Sequence, residues 1–550
     1  IWSGTPREAM TAYGTLTGLP IFPPEWVFEP WAGGGGGRWR NGPLQDIALE
    51  QMAAMKKFHE LDIPHSGFYA EGAGATFYGE YKKEELYKVV SFGERHGFKV
   101  FSWQFPNMTQ ELAQELLPEC PKEELPITRN KNDEEEKLPV YIDFSHPRAK
   151  ELLAAQWKDR MDAGIRGSMV DFGDVVPDEA VFYDGRRGDE MHNAYAYQYA
   201  KNYRELFEQK YGDDHVLYTR GAAPGSQHFA CQFGGDQLTS FQGLKYAIAG
   251  GLSAAASGLP FWGVDAGGYD GFPDQETYLR WTEYAAFCPL MRFHGTEPRE
   301  PWEYDAFTVK VYRYYTWLRE NLRPYIVSVA AEAHKLGIPM MRPLAMMYPE
   351  DQEATKVWDE YLFGEDLLVA PVSDETEERE IYFPEGRWIS LWNLNDEISG
   401  PVQRSVEVPI DKIPVYIREG SFLPLRLNES LKLGESMSES ETEMILAVVP
   451  QNDSIVKETL YERSGAKTCC GMEKNGETIQ LQISGRTAEL YVMLAGIHWK
   501  NTEAIVNGRT LTKVTAREGL YFTEGYLELE EGILVKINPS AESVIKIQKK

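Results

Sequence analysis

The chain has 550 residues, of which 43% are hydrophobic and 25% charged, and its formal net charge is −28. That length exceeds what a single core serves, so roughly two to four domains are expected. No apolar run is long enough to span a membrane, and so acidic a balance argues against nucleic acid or anionic membrane partners.

From about residue 20 to 345, short apolar segments alternate with amphipathic ones. Strands are predicted at Trp26–Phe28, Ile63–Tyr69, Val100–Trp103, Gly167–Asp171, Val216–Arg220, Phe229–Phe233 and Leu259–Asp265. Helical spacing falls between them, over Asp46–Glu60, Glu84–His96, Pro147–Ala163 and Ala194–Tyr211. Repeated βα units of this length predict an α/β fold, a (β/α)8 TIM barrel over 20–345. The glycine run 33–37 lacks the Lys-Ser/Thr of a phosphate loop and is expected to form a tight exit from the first strand. A Glu- and Pro-rich stretch near 109–138 reads as a loop excursion after the third strand, its acidic run 132–136 as a solvated face.

Beyond Pro343 the pattern changes to short strands separated by Gly and Pro turns. C-terminal β-sandwich domains are expected over 346–431 and 432–550. Cys120, Cys231, Cys288, Cys469 and Cys470 are odd in number and lack metal-ligand spacing, so neither a disulfide framework nor a metal site is indicated. No cofactor is expected. The chain begins without Met and in mid-pattern. A cytoplasmic location is favoured, without a segment that states it.

Several predicted strands end in a polar residue followed by Gly, Pro or Asn, as the rim of an active site at the C-terminal face of a barrel would. Asp171 ends one such strand in "VDFGDVVP", and Asp236 follows another in "ACQFGGDQ". Two carboxylates on neighbouring strands suit glycoside cleavage, one attacking the anomeric carbon and the other protonating the leaving oxygen. No Gly-x-Ser-x-Gly elbow supports a serine nucleophile. Bland alternatives for Asp171 are a helix cap, an ion pair or a turn residue.

Taken together, "VDFGDVVP" (170–177), "TRGAAPGSQHFACQFGGDQ" (219–237), "FWGVDAGGY" (261–269), "RWTEYAAFCPLMRFHG" (280–295), "MMRPL" (340–344) and "FGEDLLVAPV" (363–372) resemble glycoside hydrolase family 31, the retaining α-glucosidase family. The sulfoquinovosidase-like branch is especially similar. The resemblance implies Asp171 as nucleophile and Asp236 as general acid/base. It implies Glu71, Arg220, Asp265, Arg292, His294, Trp262 and Phe233 around the sugar. Asp174, where the family usually has Glu, is expected to be structural. The resemblance also implies an N-terminal β-sandwich absent from this chain, with residues 1–19 as its lead-in to the barrel.

The branch's Lys-Arg-x-x-Trp sulfonate motif is missing from residues 70–90, and Glu71 would repel a sulfonate. The expected substrate is therefore a neutral α-hexoside of glucose or galactose type, small or oligosaccharide. Arg38 or Arg40 could replace the missing arginine, so a sulfosugar stays an alternative. An N-acetylhexosaminide, sugar transfer on the same scaffold and a non-catalytic sugar-binding protein are further alternatives. A homo-oligomer is compatible with the sequence.

Overall fold

The computed structural model describes residues 4–34, 44–70, 83–129, 140–486, 488–540 and 542–550. Seven parallel strands share one sheet: β1 (Trp31–Gly34), β2 (Gly67–Ala70), β3 (Lys99–Gln104), β4 (Gly167–Val170), β5 (Val216–Thr219), β6 (Cys231–Phe233) and β7 (Trp262–Gly263). An extended segment, residues 290–293, closes the sheet on itself. Gly263 bridges Leu290 on one side of it and Trp31 bridges Arg292 on the other. Trp31 N donates to Met291 O at 2.8 Å, and Phe293 N donates back to Trp31 O at 3.0 Å. With this eighth stave the sheet has no edge, which makes it a (β/α)8 barrel.

The interior is packed rather than hollow. Trp31 meets Phe101 edge-on at 4.9 Å, and Tyr218 stacks on Phe233 at 4.7 Å. Outside, helices Leu44–Glu60, Lys83–Arg95, Ala149–Ala163, Gly188–Tyr211, Phe241–Ala256 and Gln275–Ala286 come after their strands. Ser240, Asp274 and Asp305 cap the helices that begin at Phe241, Gln275 and Ala306, each accepting from an N–H in the first turn. Each such cap stabilises its helix by about 1 kcal/mol.

Two expectations shift at the barrel entrance. Residues Glu25–Phe28 form a 3-10 turn after Pro24, with Val27 and Phe28 buried, so the predicted strand at Trp26–Phe28 is absent. The first strand instead runs into the glycine stretch. A Cβ on Gly33 would lie 2.8 Å from Phe293 O and 3.2 Å from His294 Nδ1, so the missing side chain is what admits the eighth stave.

Between β3 and β4 the chain leaves the barrel. Asn107–Met108 pairs with Val140–Tyr141, and helix Gln110–Leu116 lies between them. The acidic run 132–136 falls outside the described residues.

Helix Ala306–Leu336 spans 31 residues and ties the barrel to the C-terminal sheets. Asn321 on it donates to Arg426 O at 2.9 Å, and Ser328 Oγ accepts from Tyr461 N at 2.9 Å. The first of these sheets is six-stranded and antiparallel, beginning with Met341–Pro343. Phe363, Leu367, Val369 and Ile417 of this sheet join the barrel's own core. The last unit is a sandwich of a five-stranded and a six-stranded sheet around Phe422, Ile445, Leu481, Val492 and Ile533. Strand Phe422–Leu427 already belongs to it, so the first strand grouping starts five residues before the expected border at 346 and the second ten before 432. Among the described residues no helix is long and apolar enough to cross a membrane.

Candidate active site at the open end of the barrel

Strands β4 to β7 are parallel, so residues just past their last positions share one rim. Asp171 directly follows β4, Arg220 follows β5, Asp236 lies three residues past β6, and Asp265 two past β7. Arg292 sits in the closing stave, with His294 just beyond it.

Asp171 is only 4% exposed, and burying a carboxylate is costly unless donors meet it. Two do, and a cation joins them. Trp103 Nε1 donates to Oδ2 at 3.0 Å and Phe172 N donates to Oδ1 at 2.8 Å, while Arg220 forms an ion pair, its Nε 3.5 Å from Oδ1. Burial still pushes the Asp171 carboxyl up from its ordinary value. Arg220, Trp103 and Phe172 pull the other way, and the charge of Asp236 adds to the rise. The backbone is strained locally too, because Phe172 has φ +57°. That left-handed conformation is uncommon for a bulky residue and tends to persist where the surroundings over-determine it. Arg220 supplies part of that constraint, with its guanidinium 4.2 Å above the Phe172 ring and Nη2 3.3 Å from Asp174 Oδ1. Asp174 thus holds Arg220 in place beside Asp171.

The second cluster lies deeper. Asp265 and Arg292 are both 0% exposed and pair at 2.6 Å, Nη1 to Oδ1. Burial lifts the Asp265 carboxyl to about 7 even with Arg292 beside it, helped by the charges of Asp236 and Asp171. Asp265 Oδ2 is buried and meets no hydrogen-bond donor among the described residues. Arg292 also lies 5.2 Å from the Tyr69 ring centroid and 5.0 Å from that of Tyr218. His294 packs edge-on to Tyr69 at 4.5 Å. Burial, with cationic Arg292 and Arg299 nearby, holds its imidazole well below the usual range and therefore neutral.

Two residues expected around the sugar sit elsewhere. Trp262 faces out of the barrel, where a Cβ on Gly251 of helix Phe241–Ala256 would lie 2.8 Å from its Nε1. Period-2 alternation explains this, because Gly263 takes the inward position next to Tyr218 and Leu290. Phe233 lies beneath the site, stacked on Tyr218 and 5.7 Å from the Arg292 guanidinium. Glu71, Arg38 and Arg40 fall outside the described residues. Trp103, missed as a partner of Asp171, was visible only as an aromatic at a strand end. Among the described residues no three His, Cys, Asp or Glu side chains gather as a metal site.

A model of the "Glycosyl hydrolases family 31 TIM-barrel domain" matches residues 21–329, and one of the "Glycosyl hydrolase family 31 C-terminal domain" matches 337–423. The chain belongs to glycoside hydrolase family 31. This family-31 chain is 28% identical to an isomaltosyltransferase of Sporosarcina globispora, over 99% of its own length and 54% of that protein's. It is 32% identical to a sulfoquinovosidase of Escherichia coli, over 51% of its length and 43% of the relative's. Among solved structures, a cycloalternan-forming enzyme from Listeria monocytogenes superposes with a TM-score of 0.88 at 22% identity. That match covers 100% of this chain and 56% of the other, and it speaks for the fold. The chain spans little more than half the length of the isomaltosyltransferase and of the cycloalternan-forming enzyme.

Proposed function

We propose that this chain carries the catalytic centre of a retaining, exo-acting α-glycosidase for neutral α-hexosides. The observation that carries the reading is Asp171, a buried carboxylate on a rigid strand end, held by two hydrogen-bond donors and an ion pair, with a second acid close enough to perturb it. Rigid placement is what a nucleophile requires. Asp171 attacks the anomeric carbon, the bond to the aglycone oxygen breaks, and Asp236 gives that oxygen its proton. In the second step Asp236 takes a proton from water, which displaces Asp171 and restores the original anomer. Asp265, with one buried oxygen unpartnered among the described residues, and neutral His294 offer hydrogen bonds to sugar hydroxyls.

A second reading, transfer of the glycosyl group to another sugar, is favoured by the isomaltosyltransferase, whose likeness runs through the C-terminal sheets as well as the barrel. The E. coli sulfoquinovosidase matches only 51% of the chain, and residues 70–90 lack the sulfonate motif. A neutral sugar is therefore preferred.

Aryl α-glucoside, α-galactoside, α-N-acetylgalactosaminide and α-sulfoquinovoside should be compared on the full-length protein, with isomaltose and maltose as acceptors. Turnover of a neutral glycoside with initial release of the α-anomer is expected. First release of the β-anomer would sink the retaining assignment, and oligosaccharide products at low acceptor concentration would favour transfer.

Specificity against anions is assigned to Glu71 from its sequence position. Glu71→Gln is expected to weaken cleavage of the neutral glycoside by about 1–3 kcal/mol while relieving repulsion of a sulfonated one. An unchanged ratio of the two kcat/KM values would leave Glu71 without a part in specificity.

A further inference from the structure

Arg299 is 2% exposed, and the hydrogen bonds that fix it go to backbone carbonyls. Nε and Nη2 donate to Gly268 O at 3.1 and 2.7 Å, and Nη2 also reaches Tyr269 O at 3.2 Å and Gly271 O at 2.8 Å. Nη1 donates to Glu297 O at 2.9 Å and Pro298 O at 3.1 Å. Sinking a guanidinium is expensive, and its planar fork of five N–H groups suits it to hold several carbonyls in fixed geometry at once.

The backbone is shaped to receive it. A Cβ on Gly295 would lie 2.4 Å from Arg299 Nη2, and one on Gly267 3.1 Å from its Cδ. Gly267, Gly268 and Gly271 adopt φ of +91°, +77° and +86°, which turns their loop's carbonyls toward the guanidinium.

That loop is the wall on which the Asp236 segment rests. Tyr269 N donates to Gln237 O at 2.8 Å, and Thr239 Oγ1 donates to Asp270 O at 2.6 Å. Asp265 N donates to Gln237 Oε1 at 3.3 Å. A Cβ on Gly268 would lie 2.6 Å from Leu238 O, so the two loops are in direct contact. We infer that Arg299 is a positioning residue: by gripping the carbonyls of 268–271 it fixes the wall that aims Asp236 at the leaving oxygen. This rests on the reading of Asp236 as the general acid.

The molecule supplies its own control. Arg319 is equally buried and also holds carbonyls, those of Phe28 at 2.7 Å, Ala286 at 3.1 Å, Cys288 at 2.5 Å and Pro289 at 2.6 Å. These lie before β1 and before the closing stave, at the opposite end of the barrel from the site.

A misplaced acid hurts substrates whose leaving group needs a proton and spares those whose leaving group does not. The test measures kcat/KM for 4-nitrophenyl and methyl α-glycosides of the sugar selected by the substrate screen. It compares wild type, Arg299→Lys, Gly295→Ala, Arg319→Lys and Asp236→Asn. Arg299→Lys should lose roughly 10- to 100-fold on the methyl glycoside and only a few-fold on the 4-nitrophenyl one. Gly295→Ala, which crowds the guanidinium without removing it, should shift the ratio in the same direction and carries the test if Arg299→Lys does not fold. Arg319→Lys should lower the melting temperature and leave the ratio alone. If Asp236→Asn discriminates between the leaving groups and the Arg299 and Gly295 variants do not, Arg299 only holds the fold together and the proposal is overturned. If Asp236→Asn itself does not discriminate, the acid assignment fails first and takes the proposal with it.

Discussion

Asp171→Ala is expected to lower kcat by roughly 10⁴-fold or more, the scale seen when a nucleophile is removed from a machinery that acts as a unit. The same variant should unfold at an equal or higher temperature than wild type. Burial already pushes the Asp171 carboxyl up, so the folded state carries a charge it would be more stable without, as functional sites often do. Loss of activity with retained stability separates a chemical role from a structural one. Azide should then enter the vacated side, attack the anomeric carbon and displace the aglycone, so an activated aryl α-glycoside yields the β-glycosyl azide. Residual turnover within about tenfold of wild type would remove Asp171 as nucleophile. A melting temperature lowered by many degrees would mark it as part of the scaffold.

Arg292→Met is expected to act on stability, and to do so in a pH-dependent way. It removes the cation paired with Asp265 at 2.6 Å and leaves a carboxylate buried alone. Breaking a buried pair from one side typically costs about 3–5 kcal/mol. The sign with pH is set by Asp265, whose folded value of about 7 lies above the 3.8 of a free side chain. The folded state therefore holds that proton more tightly. Its contribution to stability is full below the unfolded value and is lost as pH rises through about 7. Without Arg292 the carboxyl rises further, so the loss continues to higher pH. Chemical denaturation at pH 5 and pH 8 should show a small deficit at the lower pH and the larger one at the higher. A deficit independent of pH would mean that Arg292 acts through packing on Tyr69 and Tyr218 rather than through Asp265.

Much of the architecture was legible in the residues because it depends on local pattern. Six of the seven predicted strand positions overlap a barrel strand, since short apolar runs between amphipathic helices have few other packings. Asp171 and Asp236 could be singled out because acids at the ends of apolar runs followed or preceded by glycine are costly unless used. Three things required the tertiary structure. The closing stave at 290–293 begins directly after a proline and is too short to register as a strand. It exists because β1 and β7 each offer it an unpaired edge. The outward turn of Trp262 depends on which of two adjacent residues the sheet's register points inward, and a two-residue strand carries too little alternation to say. The groups that meet Asp171, two donors and one cation, come from β3, the start of the loop after β4 and the residue just past β5. Trp103 and Arg220 lie far from Asp171 along the chain, and only the parallel pairing of β3 and β5 on either side of β4 brings those charges and dipoles within reach of its carboxylate.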